Sequence, residues 1–190
     1  IKYRRRYQPL VPSVYHSPYP YCYRCFFGQR SGSCSMDCLL YLERLFKHLI
    51  PPEEVACILI EPVLGEGGYV VPPPGFLARL RELCDTWGIL LILDEIQTGM
   101  GRTGKLFAYE HSGAEPDIMT LGKGLGGGAP LAALVAREEV CCFEPGDQGG
   151  TYCGNSLMMA VGIAVFKELT KPGFMSGVVG KGAYLQTKLE

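Results

Sequence analysis

Two uninterrupted apolar runs, Val55–Ile60 and Ile89–Leu93, narrow what this chain can become more than any other feature. Each has the length of a strand, and neither shows the polar alternation of a strand with one wet face. Between them Phe76, Leu80, Leu83 and Trp87 recur at helical spacing, and Gly88 closes that helix. The order is therefore strand, helix, strand. Continuous apolar strands joined by a helix imply a parallel sheet covered on both faces, the α/β class. Further strands over Ile118–Leu121 and Leu131–Ala136 extend the pattern, with helices over Asn155–Leu169 and Gly173–Leu189. Gly162 stands as a weak point in the first of those helices.

Upstream the texture changes. Pro9, Pro12, Pro18 and Pro20 prevent any long helix in residues 1–37, which read as an irregular segment laid across a larger body. Leu39, Leu42, Leu45, Phe46 and Leu49 then predict a helix over Met36–Ile50, stopped by Pro51-Pro52. Residues 1–50 are expected to be an extended Cys/Tyr/Pro-rich segment plus one helix, part of the same domain as a core over 51–190. The first residue is Ile1 and the last stretch, Leu185–Glu190, looks helical, so a piece of a longer chain is expected.

A net charge of -1 gives no reason to expect nucleic acid or an anionic membrane as partner. The basic run Lys2, Arg4, Arg5, Arg6 reads as solvated surface. No apolar stretch approaches the ~20 residues that span a bilayer, and no secretory leader opens the sequence. A cytoplasmic protein with reduced thiols is expected, although the chain has 9 cysteines. Cys22, Cys25, Cys34 and Cys38 have a spacing that suggests zinc; the second pair runs into a helix start, and no metal is expected. Cys57, Cys84, Cys141, Cys142 and Cys153 are expected as core fillers.

In a parallel sheet the ligand crevice lies at the carboxyl ends of the strands. There the sequence places Glu61, then Asp94-Glu95, then Lys123. Asp94 alone is most simply a helix cap or salt-bridge partner, or the acid of a nucleotide-binding strand. Gly99-Met100-Gly101-Arg102-Thr103-Gly104-Lys105 fits the start of a phosphate-binding loop, but Leu106 replaces the magnesium-binding hydroxyl and no strand precedes the loop. Lys123, among glycines, could be a flexible loop residue. A desolvated lysine facing an aldehyde, with an aspartate facing a pyridine nitrogen, would supply what pyridoxal phosphate (PLP) chemistry requires.

The wider pattern resembles a known family. Asp94-Glu95-Ile96-Gln97-Thr98-Gly99-Met100-Gly101-Arg102-Thr103-Gly104 resembles the D-E-x-Q-T-G-x-G-R-T-G signature of class III PLP-dependent aminotransferases. Pro116-Asp117-Ile118 through Lys123-Gly124-Leu125-Gly126-Gly127-Gly128 resembles their lysine segment. Glu61-Pro62-Val63-Leu64-Gly65-Glu66-Gly67-Gly68 resembles their E-P-x-x-G-E-x-G loop, and Thr151-Tyr152-Cys153-Gly154-Asn155 their T-(F/Y)-x-G-N segment.

The resemblance implies part of a fold-type I large domain, with a mostly parallel sheet flanked by helices. It implies that Lys123 carries the cofactor as an imine and later moves the α-proton. Asp94 would pair with the ring nitrogen, and Gln97 would hydrogen-bond the phenolic oxygen. Thr151 would bind the phosphate held by a neighbouring subunit, making the active unit a homodimer. Glu66 would mask a substrate-binding arginine, and Glu61 would support the Asp94 region. The implied reaction moves an amino group from an ω-amine or diamine-derived donor to a 2-oxo acid. The rivals are a decarboxylase or racemase of the same family, or a non-catalytic metal-stabilised fragment.

The sequence departs from the family pattern at Gln148 and Gly149, where a histidine is common, and at Ser156, where a proline is common. Nothing resembles the family's early phosphate loop, the aromatic stacked on the ring, or the C-terminal small domain with its carboxylate-binding arginine. The 190 residues alone are therefore expected to be poorly soluble and inactive.

Overall fold

The computed structural model describes residues 4–30 and 32–190, so Lys2 of the basic run lies outside the described residues. Four strands form one sheet in the order of the chain: β1 (Cys57–Ile60), β2 (Leu90–Asp94), β3 (Ile118–Leu121) and β4 (Ala133–Ala136). The pairs β1–β2 and β2–β3 are parallel. The last pair is antiparallel, with Leu121 opposite Ala133 and Ile118 opposite Ala136. The sheet is mostly parallel, as expected; the reversal of β4 was invisible, because an apolar run does not encode strand direction.

Four helices accompany the sheet: α1 (Asp37–His48), α2 (Phe76–Trp87), α3 (Ser156–Leu169) and α4 (Phe174–Leu189). Glycines flank α2 in the left-handed conformation, Gly75 with φ 80° and Gly88 with φ 66°. The Gly88 N–H donates back to the Cys84 carbonyl, so the helix ends where only glycine sits without strain. The buried stripe of α2 is Phe76, Leu77, Leu80 and Cys84. It is rotated toward Leu77 and Cys84, leaving Trp87 half-exposed at its edge.

That stripe meets Leu91 and Leu93 of β2 and Leu39 of α1 in the main core. Leu80, Leu91 and Leu93 are fully buried, and each contributes roughly 1.5–3 kcal/mol by leaving water. Alternation sends the other residues of each strand to the opposite face. Cys57, Leu59 and Leu134 there are exposed, and Leu90 and Ile92 only half-buried. Helices of the described residues thus cover one face well and the second only in part, short of the two-sided covering expected.

The amino ends of the strands are tied by charge. Asp117, just ahead of β3, accepts from the Leu91 N–H and from Arg81 of α2, both at 2.7 Å, with Arg137 at 3.3 Å. Burial pushes its carboxyl up, but the Leu91 N–H and the two guanidiniums outweigh that and hold it below the ordinary range.

Beyond β4 the packing thins. Every residue from 141 to 157 is exposed, and on α3 and α4 so are Ile163, Phe166, Val179 and Leu185. Of the five cysteines expected inside, only Cys84 is buried; Cys57 faces the open side of β1, and Cys141, Cys142 and Cys153 lie in the exposed stretch. Gly162 has a packing role in α3. A Cβ there would stand 2.6 Å from the Leu131 side chain, so the glycine permits a close approach.

Candidate active site

The carboxyl ends of β2 and β3 open into a cleft of about 480 Å³, within the range of small-molecule sites. Gln97 and Lys123 line it, with Gly65 and Tyr69 on one wall and Met100 and Arg102 on another. Three residues of the lining, Tyr69, Met100 and Lys123, are non-glycines in the left-handed region, with φ of 55°, 56° and 40°. Each such conformation costs about 1–3 kcal/mol and collects where a site needs it.

Lys123 begins a short 3-10 turn, Lys123–Gly126, directly after β3. Its Nζ donates to Gln97 Oε1. Its side chain is exposed, so the desolvated lysine expected from the sequence is instead an amine at the mouth of the cleft. Small residues let α3 brace this turn from behind: a Cβ on Gly127 would lie 2.9 Å from Val165 of α3.

Asp94 closes β2 on the less covered face, in register with Thr120 of β3. One carboxylate oxygen accepts the Ile96 N–H at 2.9 Å. The other takes no hydrogen bond among the described residues, and the hydroxyl of its register partner Thr120 is buried without a partner. A half-buried carboxylate with a free oxygen at a strand end suits an external cationic donor.

Glu61 is half-buried, and its Oε2 accepts from the Gly65 N–H at 2.7 Å. A Cβ on Gly65 would press against both Glu61 and Gln97 at 3.0 Å, so the loop, the glutamate and Gln97 stack closely. Leu64 and Val70 exchange two backbone bonds at 3.0 Å, making a small hairpin with exposed Glu66 at its tip. Thr151 lies in an exposed turn and does not line the cleft. Asn155, four residues on in the same segment, caps α3 by accepting the Leu157 and Met158 N–H groups at 3.1 and 3.2 Å.

Three residues that hold the site were given no role from the sequence. Glu95 is fully buried and accepts from the Thr98 hydroxyl at 2.5 Å and from the Ala108 and Tyr109 N–H groups at 3.0 and 2.9 Å. It fixes the turn carrying Gln97. Its signal was alternation, since Glu95 continues the buried face of Leu91 and Leu93. Tyr19, from the N-terminal segment, donates to the Glu61 carbonyl at 3.1 Å and accepts the Leu64 N–H at 3.1 Å. Burial raises its pKa, and it stays neutral. Tyr69 carried no signal. The 99–105 glycine run is no phosphate loop here: it folds into turns, with the Lys105 ammonium on the Glu110 carbonyl at 2.7 Å.

The mostly parallel α/β sheet flanked by helices is that of a type I transferase large domain, as its superposition on solved transaminases shows. A profile of class-III aminotransferases matches residues 1–190, and the chain belongs to that family, whose members depend on PLP. The acetylornithine aminotransferase of Caldanaerobacter subterraneus is 53% identical over 138 residues, 73% of this chain and 35% of that protein. A leucine/methionine racemase of Thermococcus litoralis is 40% identical over 180 residues, 94% of this chain and 41% of that protein. An (S)-enantioselective omega-transaminase from Thermomicrobium roseum superposes with a TM-score of 0.88 at 32% identity, covering 99% of this chain and 43% of the other. The chain thus spans well under half the length of these relatives.

Proposed function

We propose that the protein containing this chain is a PLP-dependent aminotransferase moving an amino group from an ω-amine or diamine-derived donor to a 2-oxo acid. The observation that carries this reading is the pairing at the strand ends. Lys123, just past the end of β3, is held in a strained turn with its amine on Gln97, and Asp94 ends the neighbouring strand β2 with one oxygen free among the described residues.

These residues fit the cofactor. When bound, PLP supplies a ring that withdraws electrons from the substrate α-carbon. The free Asp94 oxygen would hold the ring nitrogen in its protonated form. Gln97 would serve the phenolic oxygen and orient the Lys123 amine. Lys123, once free, would take a proton from the α-carbon and return it. Glu61 would keep the Gly65 wall in place, and Glu66 at the hairpin tip would meet a substrate-binding cation. Thr151, exposed and away from its own cleft, would reach the phosphate site of a second copy in a homodimer. A cytoplasmic setting goes with this reading; among the described residues no helix is long and apolar enough to cross a membrane.

Borohydride reduction of the PLP-loaded, full-length protein tests the assignment. Peptide mapping should find the pyridoxyl group on Lys123, and label on Lys105 or Lys167 would overturn it. A racemase is the second reading, because the Thermococcus litoralis relative matches 94% of this chain at 40% identity, about as well as acetylornithine aminotransferases that match 95% and 99% of it at 42% and 41%. It uses the same residues but returns the proton to the opposite face. Turnover of a single amino-acid enantiomer without any 2-oxo acid would select it.

A further inference from the structure

Four thiols stand apart from the cleft chemistry. Cys22 and Cys25 belong to the turn around Cys22–Arg24, while Cys34 and Cys38 flank the entry to α1. All four line one small cavity of about 20 Å³, beside Tyr19 and Pro73. That volume admits a single water-sized group. Each of the four thiols is half-buried and none is bridged.

The thiols of the two stretches also act on one another electrostatically. Burial, then Cys34, then Cys25 push the Cys22 thiol up. Burial raises Cys38 too, against two backbone N–H groups, with Cys34 and Cys22 adding to the rise. Cys38 is built into α1, whereas Cys34 lies ahead of that helix on the same cavity as Cys22. Asp37 at the start of α1 accepts from Gln29 and Ser35, both at 2.7 Å, and so ties α1 to the chain ahead of it. Among the described residues no group of three or more His, Cys, Asp or Glu side chains converges closely enough to hold a metal ion. Sulfur–sulfur chemistry needs only two of the four.

We propose that Cys22 and Cys34 form an oxidisable dithiol whose disulfide joins the N-terminal segment to the approach of α1 and stiffens the wall of the cleft. The oxidant is a small-molecule disulfide such as oxidised glutathione. One cysteine thiolate attacks it, forming a mixed disulfide and releasing one glutathione thiolate. The second cysteine, once deprotonated, displaces the other glutathione. One S–S bond is broken and one formed, two cysteine S–H bonds are lost, and two glutathione thiols are gained.

The state of this pair is read through Tyr19. That residue lines the thiol cavity, and its hydroxyl holds the Glu61 carbonyl and the Leu64 N–H. Val63, Gly65 and Tyr69 of the same loop line the cleft. A bridge at Cys22 restricts the segment carrying Tyr19, and therefore restricts opening of the loop that Tyr19 holds. This inference stands whether the protein transaminates or racemises.

The test uses the full-length protein equilibrated with oxidised glutathione, then digested without reduction. We expect a Cys22–Cys34 peptide lighter by two hydrogens than the free pair. The Leu64 amide should exchange its hydrogen at least threefold more slowly, with reversal by dithiothreitol. Cys22→Ser should abolish both effects, Cys34→Ser serving if that variant does not fold, and Cys25→Ser should leave both. A local Cys22–Cys25 bridge, glutathione adducts without a cross-link, or stoichiometric metal held by unbridged thiols would each overturn the proposal. A Cys22–Cys34 bridge with unchanged Leu64 exchange would overturn its link to the cleft.

Discussion

The stretch from β1 to β3 and the stretch from β4 to α4 are both apolar, yet they behave differently. In the first, Leu80, Cys84, Ile89, Leu91 and Leu93 are almost wholly shielded from water. In the second, Leu134, Phe166, Tyr184 and Leu185 are 64%, 41%, 67% and 58% exposed. The first half has a helix stripe facing a strand face, so its side chains find one another within the chain. The helices of the second half present apolar surface with no facing layer among the described residues. The proposed chemistry divides the same way: Asp94, Gln97 and Lys123 sit on the packed half, and Thr151 on the open one. An aligned site requires rigid elements beneath it, and only the first half supplies them.

The contrast can be broken most sharply at Asp94. With its second oxygen unpartnered, Asp94→Asn should leave the melting temperature of the full-length protein within a degree or two of the parent. Turnover should fall about a thousandfold, equivalent to about 4 kcal/mol. A variant within threefold of the parent would show that Asp94 does not face the ring nitrogen. Its neighbour should behave in the reverse manner. Glu95→Ala strands the buried Thr98 hydroxyl and two backbone N–H groups, and should cost about 3–4 kcal/mol in urea unfolding. An effect below 1 kcal/mol would show that the turn carrying Gln97 holds without it.

Packing gives a matched pair. Leu80→Ala should cost about 3 kcal/mol, whereas Leu185→Ala should change unfolding of this chain by less than ~0.5 kcal/mol. Equal costs would erase the distinction between the halves. The smallest effect expected is on pH dependence. Asp117 has a folded pKa below its ordinary value of 3.8. Its contribution is therefore complete above that value and is lost as pH falls through the lower, folded one. Asp117→Asn should flatten the acid limb of the stability curve; an acid limb identical to the parent's would break the assignment.

Periodicity made the elements of both halves legible, with α3 and α4 of the open half each within a residue of the expected bounds. The strands at Ile89–Leu93 and Ile118–Leu121 emerged within a residue of their observed bounds, and Gly88 ended α2 as read. The cleft residues at strand ends followed from the α/β order, and Lys123 and Gln97 do meet. Direction and exposure were less accessible. The sign of β4 depends on how its neighbour pairs, and Trp87 or Cys57 is placed by which layer happens to face it. Tyr19 could not be found by any local pattern, since its partners lie 42 to 45 residues away. Glu95 could have been found, because period-two alternation from Leu91 runs straight through it.

The reversal of β4 also shapes how a ligand arrives. A parallel neighbour for β3 would have needed a crossover of a dozen or more residues, ordinarily a helix laid over the strand end. The antiparallel arrangement replaces that helix with a short glycine-rich connection, and the Lys123 side chain beside it is exposed to solvent. In the proposed reading a ligand would meet this amine from solvent, with no α-helix within its own connection laid over it. Mutations in the connection should therefore alter how firmly a ligand is retained far more than how fast it enters.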